Sequence, residues 1–359
     1  MIFNISDVQT NVKIYKNTFT AEEININLTN SLVIADENTV SIAENIFAGG
    51  SLPFCVLKSG EENKNWQSVE TILKTAYQNE LSRDAVFIAV GGGVICDMAG
   101  FAASIYMRGC RLVLVPTTLL CMVDASVGGK TGFDLFNKKN FAGSFYPAQD
   151  VHMPLGALFS LARREWKSGM AELIKHAVLS SDNNYFDNVL QLSGYSNLTE
   201  NISLLYDCVE KSVLYKGSIV TEDPKETKGK RNLLNLGHTF GHALESAAGF
   251  GKISHGEAVA WGIARSCELG EALGITSKER AVKITNILTN FGYEIKCPHP
   301  LVNNEDAVNS LIDAMKSDKK KKNRKLVFIV PDAQSAQSVI IDSMEMKILE
   351  NILTGKNNS

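Results

Sequence analysis

The segment "AVFIAVGGGVICDMAG", residues 85–100, decides the fold of the first half of the chain. A short apolar run leads into three glycines and then into a second apolar segment. This order is typical of a strand, a turn and a helix. In such a turn the backbone can approach a pyrophosphate, which the positive N-terminal end of the helix attracts. The match to G-x-G-x-x-G is incomplete because Cys96 occupies the third glycine position. Taken alone, the segment fits a nucleotide site and an ordinary tight turn equally well.

Short apolar runs of the same kind recur through the first half of the chain. Besides residues 85–90, they are residues 31–36, 54–58 and 111–116. Longer segments with helical periodicity, such as residues 66–80, separate them. This alternation predicts βαβ units, and strands that are apolar throughout are typical of a parallel sheet covered on both faces.

The sequence pattern changes after about residue 160, where long amphipathic segments follow one another with few strand signals. Residues 325–331 are the one late strand candidate. The fold class we predict is α/β plus α, with an N-terminal Rossmann-like parallel-sheet domain followed by an all-helical domain. We place the first domain at residues 1–162 and the second, mainly α-helical domain at residues 163–359.

Composition excludes several classes of partner. The 359 residues carry a net charge of -3, so no global basic field draws the chain to nucleic acid or to an acidic membrane surface. Seven cysteines without a C-x-x-C pair argue against a disulfide framework. The first residues lack the features of a signal peptide, and the longest uncharged apolar stretch, residues 85–96, is too short to span a bilayer. We therefore expect a cytoplasmic protein with no nucleic-acid partner and no membrane partner.

Three histidines and a glutamate suggest a metal site. In "GHTFGH", His238 and His242 are four residues apart and would share one face of a helix. The zinc-protease pattern H-E-x-x-H has this spacing, but Thr239 stands where its glutamate should be. His255 begins another helical segment, and Glu172 lies on an earlier one. Histidines with one carboxylate are the usual ligands of a catalytic zinc. Spacing alone leaves open whether a metal binds and whether both members of the pair hold it.

Several polar stretches could bind an anion. "DASVGGKTG" resembles a phosphate loop but fails on spacing, because Asp124 occupies the position of the first glycine. Lys130 remains as a lysine flanked by glycine near an acid. Thr117 and Thr118 end a predicted strand, where their hydroxyls could bind a ligand or the backbone. The run Lys319–Lys322 fits an anion clamp, a nuclear address or a solvated surface run, and the last is the usual role of four consecutive lysines. Basic residues beside glycine-rich turns in both halves favour a phosphorylated, acidic small molecule as the ligand.

Taken together, these stretches resemble the 3-dehydroquinate synthase family, a group of sugar-phosphate cyclases related to glycerol dehydrogenases and iron-containing alcohol dehydrogenases. The similar stretches occur in family order over about residues 36 to 330, and they include "GGGVICDMAGFAAS", "VPTTLLCMVDASVGGKTG", "KKNFAGSFYPA", "SGMAELIK", "LLNLGHTFGHALE" and "HGEAVAWG". The resemblance implies a homodimer that binds NAD in the first domain and Zn²⁺ or Co²⁺ in the second.

The resemblance also implies an activity. Members of the family convert 3-deoxy-D-arabino-heptulosonate 7-phosphate to 3-dehydroquinate and phosphate, a step of the shikimate pathway toward aromatic amino acids. The reaction proceeds by transient NAD oxidation, phosphate β-elimination, re-reduction and intramolecular aldol closure. It makes the enzyme a phosphorus-oxygen lyase.

Site residues follow from the resemblance position by position. The metal ligands would be Glu172, His238 and His255, which leaves His242 as a residue that faces the substrate. The substrate and catalytic positions would be Asp124, Lys130, Asn140, Lys175, Lys216, Glu226, Arg231, Asn235, His242 and Lys319, with Arg108 reaching into the partner subunit's site. The NAD positions would be Asp36, Asn38, Ser59, Gly60, Glu61, Glu62, Asn63, Lys64, Gly92, Gly93, Val94, Ile95, Cys96, Asp97, Thr117, Thr118, Lys130, Lys139 and Ser160.

Three alternatives stay open. The chain could be another NAD- and metal-dependent sugar-phosphate cyclase, a glycerol-dehydrogenase-like oxidoreductase, or a binding module without catalysis. Asn235 and His242 have the form that we associate with the dehydroquinate enzymes, which argues against the first alternative. Cys96 in place of a glycine and one additional residue before Arg231 are departures from the family pattern.

Overall fold

The computed structural model describes residues 1–24, 28–48, 50, 52–136, 138–194, 198–249, 251–303, 306–319, 326–342 and 345–355. By their internal contacts, these residues form two compact units. Unit 1 comprises residues 1–166 and 201–227, and unit 2 comprises residues 167–200 and 228–359. Residues 201–227 belong to unit 1, although their helical sequence pattern resembles that of the second half. The assignment of NAD binding to one domain and metal binding to the other stays a prediction.

Unit 1 contains a seven-stranded sheet, a separate two-stranded hairpin and four α-helices. Its strands are β1 (Ile2–Ile5), β2 (Val8–Tyr15), β3 (Ser31–Asp36), β4 (Phe54–Leu57), β5 (Val86–Gly91), β6 (Arg111–Pro116), β7 (Lys130–Leu135), β8 (Lys138–Phe145) and β9 (Asp150–Pro154). Its helices are α1 (Val40–Ile46), α2 (Trp66–Gln78), α3 (Gly93–Ile105) and α6 (Ile202–Glu222). Short 3₁₀ segments include Glu61–Asn63, Tyr106–Arg108 and Leu155–Ser160, and Cys121–Ala125 forms a π-helical turn.

The strand order in the large sheet is β1-β2-β9-β6-β5-β3-β4, and all neighbours are parallel except β1 and β2. Every residue of β5 is buried, as expected for a strand covered on both faces. The predicted runs at residues 31–36 and 111–116 coincide with β3 and β6, and those at 54–58 and 85–90 match β4 and β5 to within one residue at each end. The parallel-sheet prediction is confirmed.

The order in which successive strands are added to the sheet reverses between β3 and β5, although these strands are parallel. From β3 the chain goes outward to β4, and from β4 it returns to the other side of β3 to form β5 and then β6. In open parallel sheets, ligands bind beyond the carboxyl ends of the strands at such a reversal. Asp36 ends β3, and Gly91 ends β5 beside it. The sheet therefore places the glycine run of residues 91–93 at the position where a nucleotide is expected.

Unit 2 consists of helices and one hairpin. The helices are α4 (Arg163–Leu179), α5 (Asn183–Leu192), α7 (His238–Ala248), α8 (His255–Ala272), α9 (Lys278–Asn290), α10 (Ala307–Lys319) and α11 (Met346–Thr354), and the strands are β10 (Leu326–Pro331) and β11 (Ala336–Ile341). The strand predicted at residues 325–331 is confirmed over residues 326–331, and residue 325 lies outside the described residues. This part of the chain is therefore not entirely helical. Phe328 and Val330 alternate inward from β10 and pack in one core with Phe240 and Trp261, which explains why the helical unit retains a strand pair. Among the described residues, no helix is long and apolar enough to cross a membrane.

Candidate active site

Helices α7 and α8 pack so closely at several glycines that their backbones are in contact. A Cβ atom on Gly262 would lie 2.0 Å from the carbonyl oxygen of Gly237, and one on Gly241 would lie 2.8 Å from that of Ala258. Gly237 also adopts a φ of 79°, a left-handed value that favours glycine. Larger residues would push the two helices apart. The sequence of this segment therefore places His238, the first residue of α7, beside α8.

The start of α8 is fixed against α4 in a similar way. A Cβ atom on Gly256 would lie 2.4 Å from the Cα of Ser168, and the amide of Gly256 donates to the Ser168 hydroxyl at 3.2 Å. Ser254 and Glu257 form a capping box around the first turn of α8. Because His255 is the first residue of that turn, these contacts hold it near the buried middle of α4, where Glu172 lies.

Glu172, His238 and His255 converge as the resemblance implies. Glu172 Oε1 lies 3.3 Å from His255 Nε2 and 3.6 Å from His238 Nε2. The other ring nitrogen of His238 lies 3.2 Å from the Leu236 carbonyl oxygen, an arrangement that orients metal-binding histidines. One carboxylate oxygen and two imidazole nitrogens form the donor set of many zinc sites. Glu172 is fully buried, and its Oε1 has no hydrogen-bond partner among the described residues. These residues therefore fit a divalent cation, which would give that oxygen the partner that burial requires.

Charge is arranged around the same carboxylate. Burial alone would raise the pKa of Glu172, but the contacting ammonium of Lys175 and the two histidines hold that pKa well below its usual range. Burial and the Lys175 charge lower the pKa of His238. Burial would also lower the pKa of His255, yet Glu172 and Glu245 raise it to about 10. In the chain without metal, Lys175 and His255 therefore neutralise the Glu172 carboxylate, and a bound cation would take over that role.

His242 has a different environment from His238, which precedes it by four residues. Its side chain is exposed, and it groups with Glu245 and His255 instead of with Glu172. The ring centroids of His238 and His242 are 5.3 Å apart, so they share a face of α7 without sharing the same carboxylate. Among the described residues the geometry therefore favours His238 over His242 as the partner of Glu172 and His255.

Most of the predicted NAD positions follow the carboxyl ends of four adjacent strands in unit 1. Asp36 ends β3 and Asn38 follows it. Residues 59–64 follow β4, residues 92–97 follow β5, and Thr117 with Thr118 follow β6. Neighbouring strand ends are also joined, since the Thr117 amide donates to the Gly91 carbonyl oxygen at 2.9 Å. This edge offers backbone amides, hydroxyls and the N-terminus of α3, which together suit a dinucleotide.

Two residues of the glycine segment turn away from that edge. Ile95 and Cys96 are buried in the first turn of α3, and Cys96 Sγ lies 3.6 Å from the Gly91 carbonyl oxygen. The thiol is therefore accommodated beneath the turn, and these two positions can present only their backbone to a ligand. A Cβ atom on Gly92 would lie 3.1 Å from Thr118 Cγ2, a tight contact that would require the threonine side chain to shift.

Lys64 links the β4 and β5 ends to the hairpin. Its ammonium contacts Asp97 Oδ2 and Asn140 Oδ1, each at 2.6 Å, and the lysine itself is almost fully buried. Burial would lower the pKa of Lys64, but Asp97 outweighs that effect and raises it. Burial raises the pKa of Asp97, an effect that Lys64 only partly offsets. Asn140, a predicted substrate residue, has a φ of 50° and is held by this lysine.

Other predicted lysines of unit 1 are also paired with carboxylates. Lys130 Nζ lies 2.5 Å from Glu226 Oε1, and Lys216 Nζ lies 2.5 Å from Asp124 Oδ1. Lys216 projects from α6, which packs against the π-helical turn that contains Asp124. The Lys216 ammonium also donates to the Asp124 carbonyl oxygen, so this lysine is fixed to the turn by two contacts.

The remaining predicted residues lie in varied settings. Arg108 is exposed and Arg231 is buried, whereas Asn235 and Lys139 are exposed. The Ser160 hydroxyl donates to the Ala157 carbonyl oxygen within its own 3₁₀ segment. Lys319 is the last residue of α10, and its side chain lies outside the described part of the chain.

Sequence reasoning missed Glu245, whose Oε1 lies 3.9 Å from His255 Nδ1. Its spacing of three residues after His242 was the available signal, because such residues are neighbours on a helix surface. The packing roles of Gly237, Gly256 and Gly262 were also missed. A local pattern does not reveal them, because each depends on a contact with a distant segment.

Comparison with solved structures shows which folds the chain resembles. The fold resembles that of ValA, a 2-epi-5-epi-valiolone synthase from Streptomyces hygroscopicus subsp. jinggangensis with NAD⁺ and Zn²⁺ bound, with a TM-score of 0.82, 24% identity and 97% of each chain covered. It also resembles a 2-deoxy-scyllo-inosose synthase complexed with carbaglucose-6-phosphate, NAD⁺ and Co²⁺, with a TM-score of 0.81, 22% identity and 99% of each chain covered. The predicted fold class is confirmed.

Sequence comparison is more specific. Family models for the N-terminal and C-terminal parts of 3-dehydroquinate synthase match residues 54–168 and 169–321. A 3-dehydroquinate synthase from Prochlorococcus marinus is 40% identical over 279 residues, which cover 77% of this chain and 73% of that protein. The chain belongs to the 3-dehydroquinate synthase family.

Proposed function

We propose that this chain catalyses the conversion of 3-deoxy-D-arabino-heptulosonate 7-phosphate to 3-dehydroquinate and phosphate, as a lyase that depends on NAD and on a divalent metal ion. Family membership supports the reaction. The observation that carries the metal requirement is the convergence of Glu172, His238 and His255 around a buried carboxylate oxygen.

Glu172, His238 and His255 would hold Zn²⁺ or Co²⁺, and the carboxyl ends of β3 to β6 would hold NAD. When bound, these groups supply reversible hydride exchange with a sugar carbon and Lewis acidity toward the sugar hydroxyls. In unit 1, the exposed N–H groups at the start of α3 and the hydroxyls of Thr117 and Thr118 would orient the dinucleotide.

The lysines would bind the anionic groups of the substrate, which carries a carboxylate and a phosphate. Lys130 and Lys216 already face acids in the structure, so their charges are held in place before a ligand arrives. Fixed positive charge stabilises the negative charge that develops on a leaving phosphate. His242 would donate from the exposed face of α7. The leaving phosphate itself would take the proton released at the neighbouring carbon, so that no further base is required.

We infer that the chain acts as a homodimer through unit 1. Met107 and Arg108 both adopt left-handed backbone angles, with φ values of 46° and 75°, at a turn that exposes the Met107 side chain. Phe136 and Phe141 on the β7–β8 hairpin are also exposed and contact each other at 5.8 Å between centroids. Exposed apolar groups and a strained turn are typical of surfaces that a partner covers. We place the protein in the cytoplasm, where its seven cysteines would remain thiols.

The direct test mixes the purified protein, NAD, Zn²⁺ and the heptulosonate phosphate and follows inorganic phosphate. We expect phosphate release that EDTA abolishes and that added Zn²⁺ restores. NADH should not accumulate, because NAD is regenerated in each cycle. Net NADH in proportion to product would indicate an oxidoreductase, and release from a different sugar phosphate alone would indicate another cyclase. Absence of release from every sugar phosphate would contradict the proposal.

A further inference from the structure

The two ring nitrogens of His255 face different carboxylates. Nε2 lies 3.3 Å from Glu172 Oε1, whereas Nδ1 lies 3.9 Å from Glu245 Oε1. His242 precedes Glu245 by one helical turn on α7, and donor atoms of His242, Glu245 and His255 lie within 4.8 Å of one another. Two donor sets therefore share one histidine. We call Glu172, His238 and His255 the inner set, and His242, Glu245 and His255 the outer set.

The outer set has the geometry and the chemistry of a cation site. Ligand atoms around one tetrahedral zinc lie about 3.5 Å from each other, given bonds of about 2.0–2.2 Å. The outer donors lie within 4.8 Å of one another, and the exposed His242 side chain has room to move toward an ion. Two imidazoles with one carboxylate match the preferences of Zn²⁺ and Co²⁺.

We propose that the outer set binds a second divalent cation, with Zn²⁺ preferred, more weakly than the inner set binds the first. The inner carboxylate is fully buried, whereas the Glu245 side chain is 23% exposed and the His255 side chain 30% exposed. An ion at the outer set therefore keeps several waters and exchanges with solvent. Weaker binding follows because water competes with these exposed donors for the ion.

The two ions compete for His255. A neutral imidazole has one nitrogen lone pair, and the other nitrogen carries a proton. While Nε2 binds the inner ion, Nδ1 keeps its proton and faces Glu245, so the outer ion relies on His242, Glu245 and water. When the inner ion is absent, an ion at the outer set can bind Nδ1 of His255 and release the proton of that nitrogen. Binding at the outer set should therefore be tighter in a protein that lacks the inner ion, and this coupling is reciprocal.

A functional consequence rests on the proposed function, which assigns His242 to the substrate. An outer ion would occupy that histidine, so excess Zn²⁺ should inhibit phosphate release. The binding of the second ion does not depend on the identity of the substrate.

Calorimetric titration of the chelator-treated full chain with Zn²⁺ tests the proposal. We expect a tight phase and a weak phase of one ion each in the unaltered protein. Glu245→Gln should remove only the weak phase. His238→Ala should remove the tight phase and strengthen the remaining phase. Glu70→Gln, which changes an exposed glutamate of unit 1, should leave both phases intact.

Phosphate release gives a second readout. At excess Zn²⁺, the activity of the unaltered protein should fall at least about fivefold relative to its value at equimolar Zn²⁺, and Glu245→Gln should keep most of its own equimolar value. If His238→Ala does not fold, the comparison of Glu245→Gln with Glu70→Gln decides alone.

Three results would overturn the proposal. The first is a single phase in the unaltered protein, and the second is a weak phase that survives in Glu245→Gln. The third is loss of the tight phase in Glu245→Gln. That last result would mean that Glu245 only orients His255. Failure of the proposed function would look different, since phosphate release would be absent while both zinc phases persisted.

Discussion

A Cβ atom on Gly262 would lie 2.0 Å from the carbonyl oxygen of Gly237, so α7 and α8 contact each other through their backbones. The same contact sets the distance between His238 and His255, whose ring centroids are 5.4 Å apart. The glycine contact that packs the two helices therefore also sets the geometry of the proposed metal ligands.

Gly262→Ala should lower the free energy of unfolding by about 3 kcal/mol, because the added methyl group has no space in a packed interior. It should also weaken Zn²⁺ binding, since the helices that carry His238 and His255 must separate. Gly194→Ala is the matched control, because its Cβ would meet its nearest neighbour at an ordinary 3.4 Å. Urea denaturation and zinc titration measure the two effects. Equal stability of the two variants would contradict the packing argument.

Variants of the three histidines should differ in how much tightly bound zinc they lose. His255→Ala and His238→Ala should each retain at least about tenfold less zinc after dialysis, because each removes a direct ligand, and loss of an orienting residue alone costs about 10–100-fold. His242→Ala should retain zinc but release phosphate slowly. Elemental analysis of the dialysed proteins gives the answer. Equal metal loss in all three variants would show that the inner set is assigned wrongly.

Lys64→Met should destabilise the chain and weaken NAD binding. The substitution leaves the Asp97 carboxylate without its cation, and breaking a buried ion pair costs about 3–5 kcal/mol. Lys130→Met is the control for stability, since the Lys130 side chain is 57% exposed and such pairs contribute about 0–1 kcal/mol. Denaturation curves and NAD titrations of both variants provide the measurement. The inference fails if Lys64→Met is as stable as Lys130→Met.

His152 should make stability depend on pH. It is buried beside Phe19, it shares a hydrogen bond with the Tyr15 hydroxyl, and burial lowers its pKa from 6.5 to about 4. The unfolded chain therefore binds a proton at higher pH than the folded chain does. This contribution is fully present above pH 6.5 and is lost as the pH falls toward 4. The loss is about 3 kcal/mol at most.

His152→Gln removes that titration, so its stability should fall less steeply between pH 6.5 and 4 than that of the unaltered protein. Urea midpoints at several pH values measure the two slopes. Parallel slopes would mean that His152 is already protonated, or is exposed, in the folded chain.

The central sheet could be predicted from sequence because its strands are buried on both faces. β3, β5 and β6 are continuous apolar runs, and each is followed by a turn signal. β2 and β9 escaped prediction. Each is short or mixed in polarity, and they pair with each other although more than a hundred residues separate them. Long-range pairing of this kind leaves no local periodicity.

The proposed metal ligands were predictable in type but not in role. Spacing placed His238 and His242 on one helix face and left both as candidates. What separates them is the approach of α4 and α8 to the first turn of α7, which depends on glycines with no distinctive local pattern. Family resemblance supplied the assignment, and the contacts of Glu172 give its physical reason.

The ammonium of Lys175 already neutralises Glu172 inside α4. The helical unit can therefore bury its carboxylate before any ion arrives, so assembly of the chain need not wait for metal supply. Maturation would then run in two stages, with the scaffold completed first and metallation second. Removal of the ion should abolish activity while the helices remain folded.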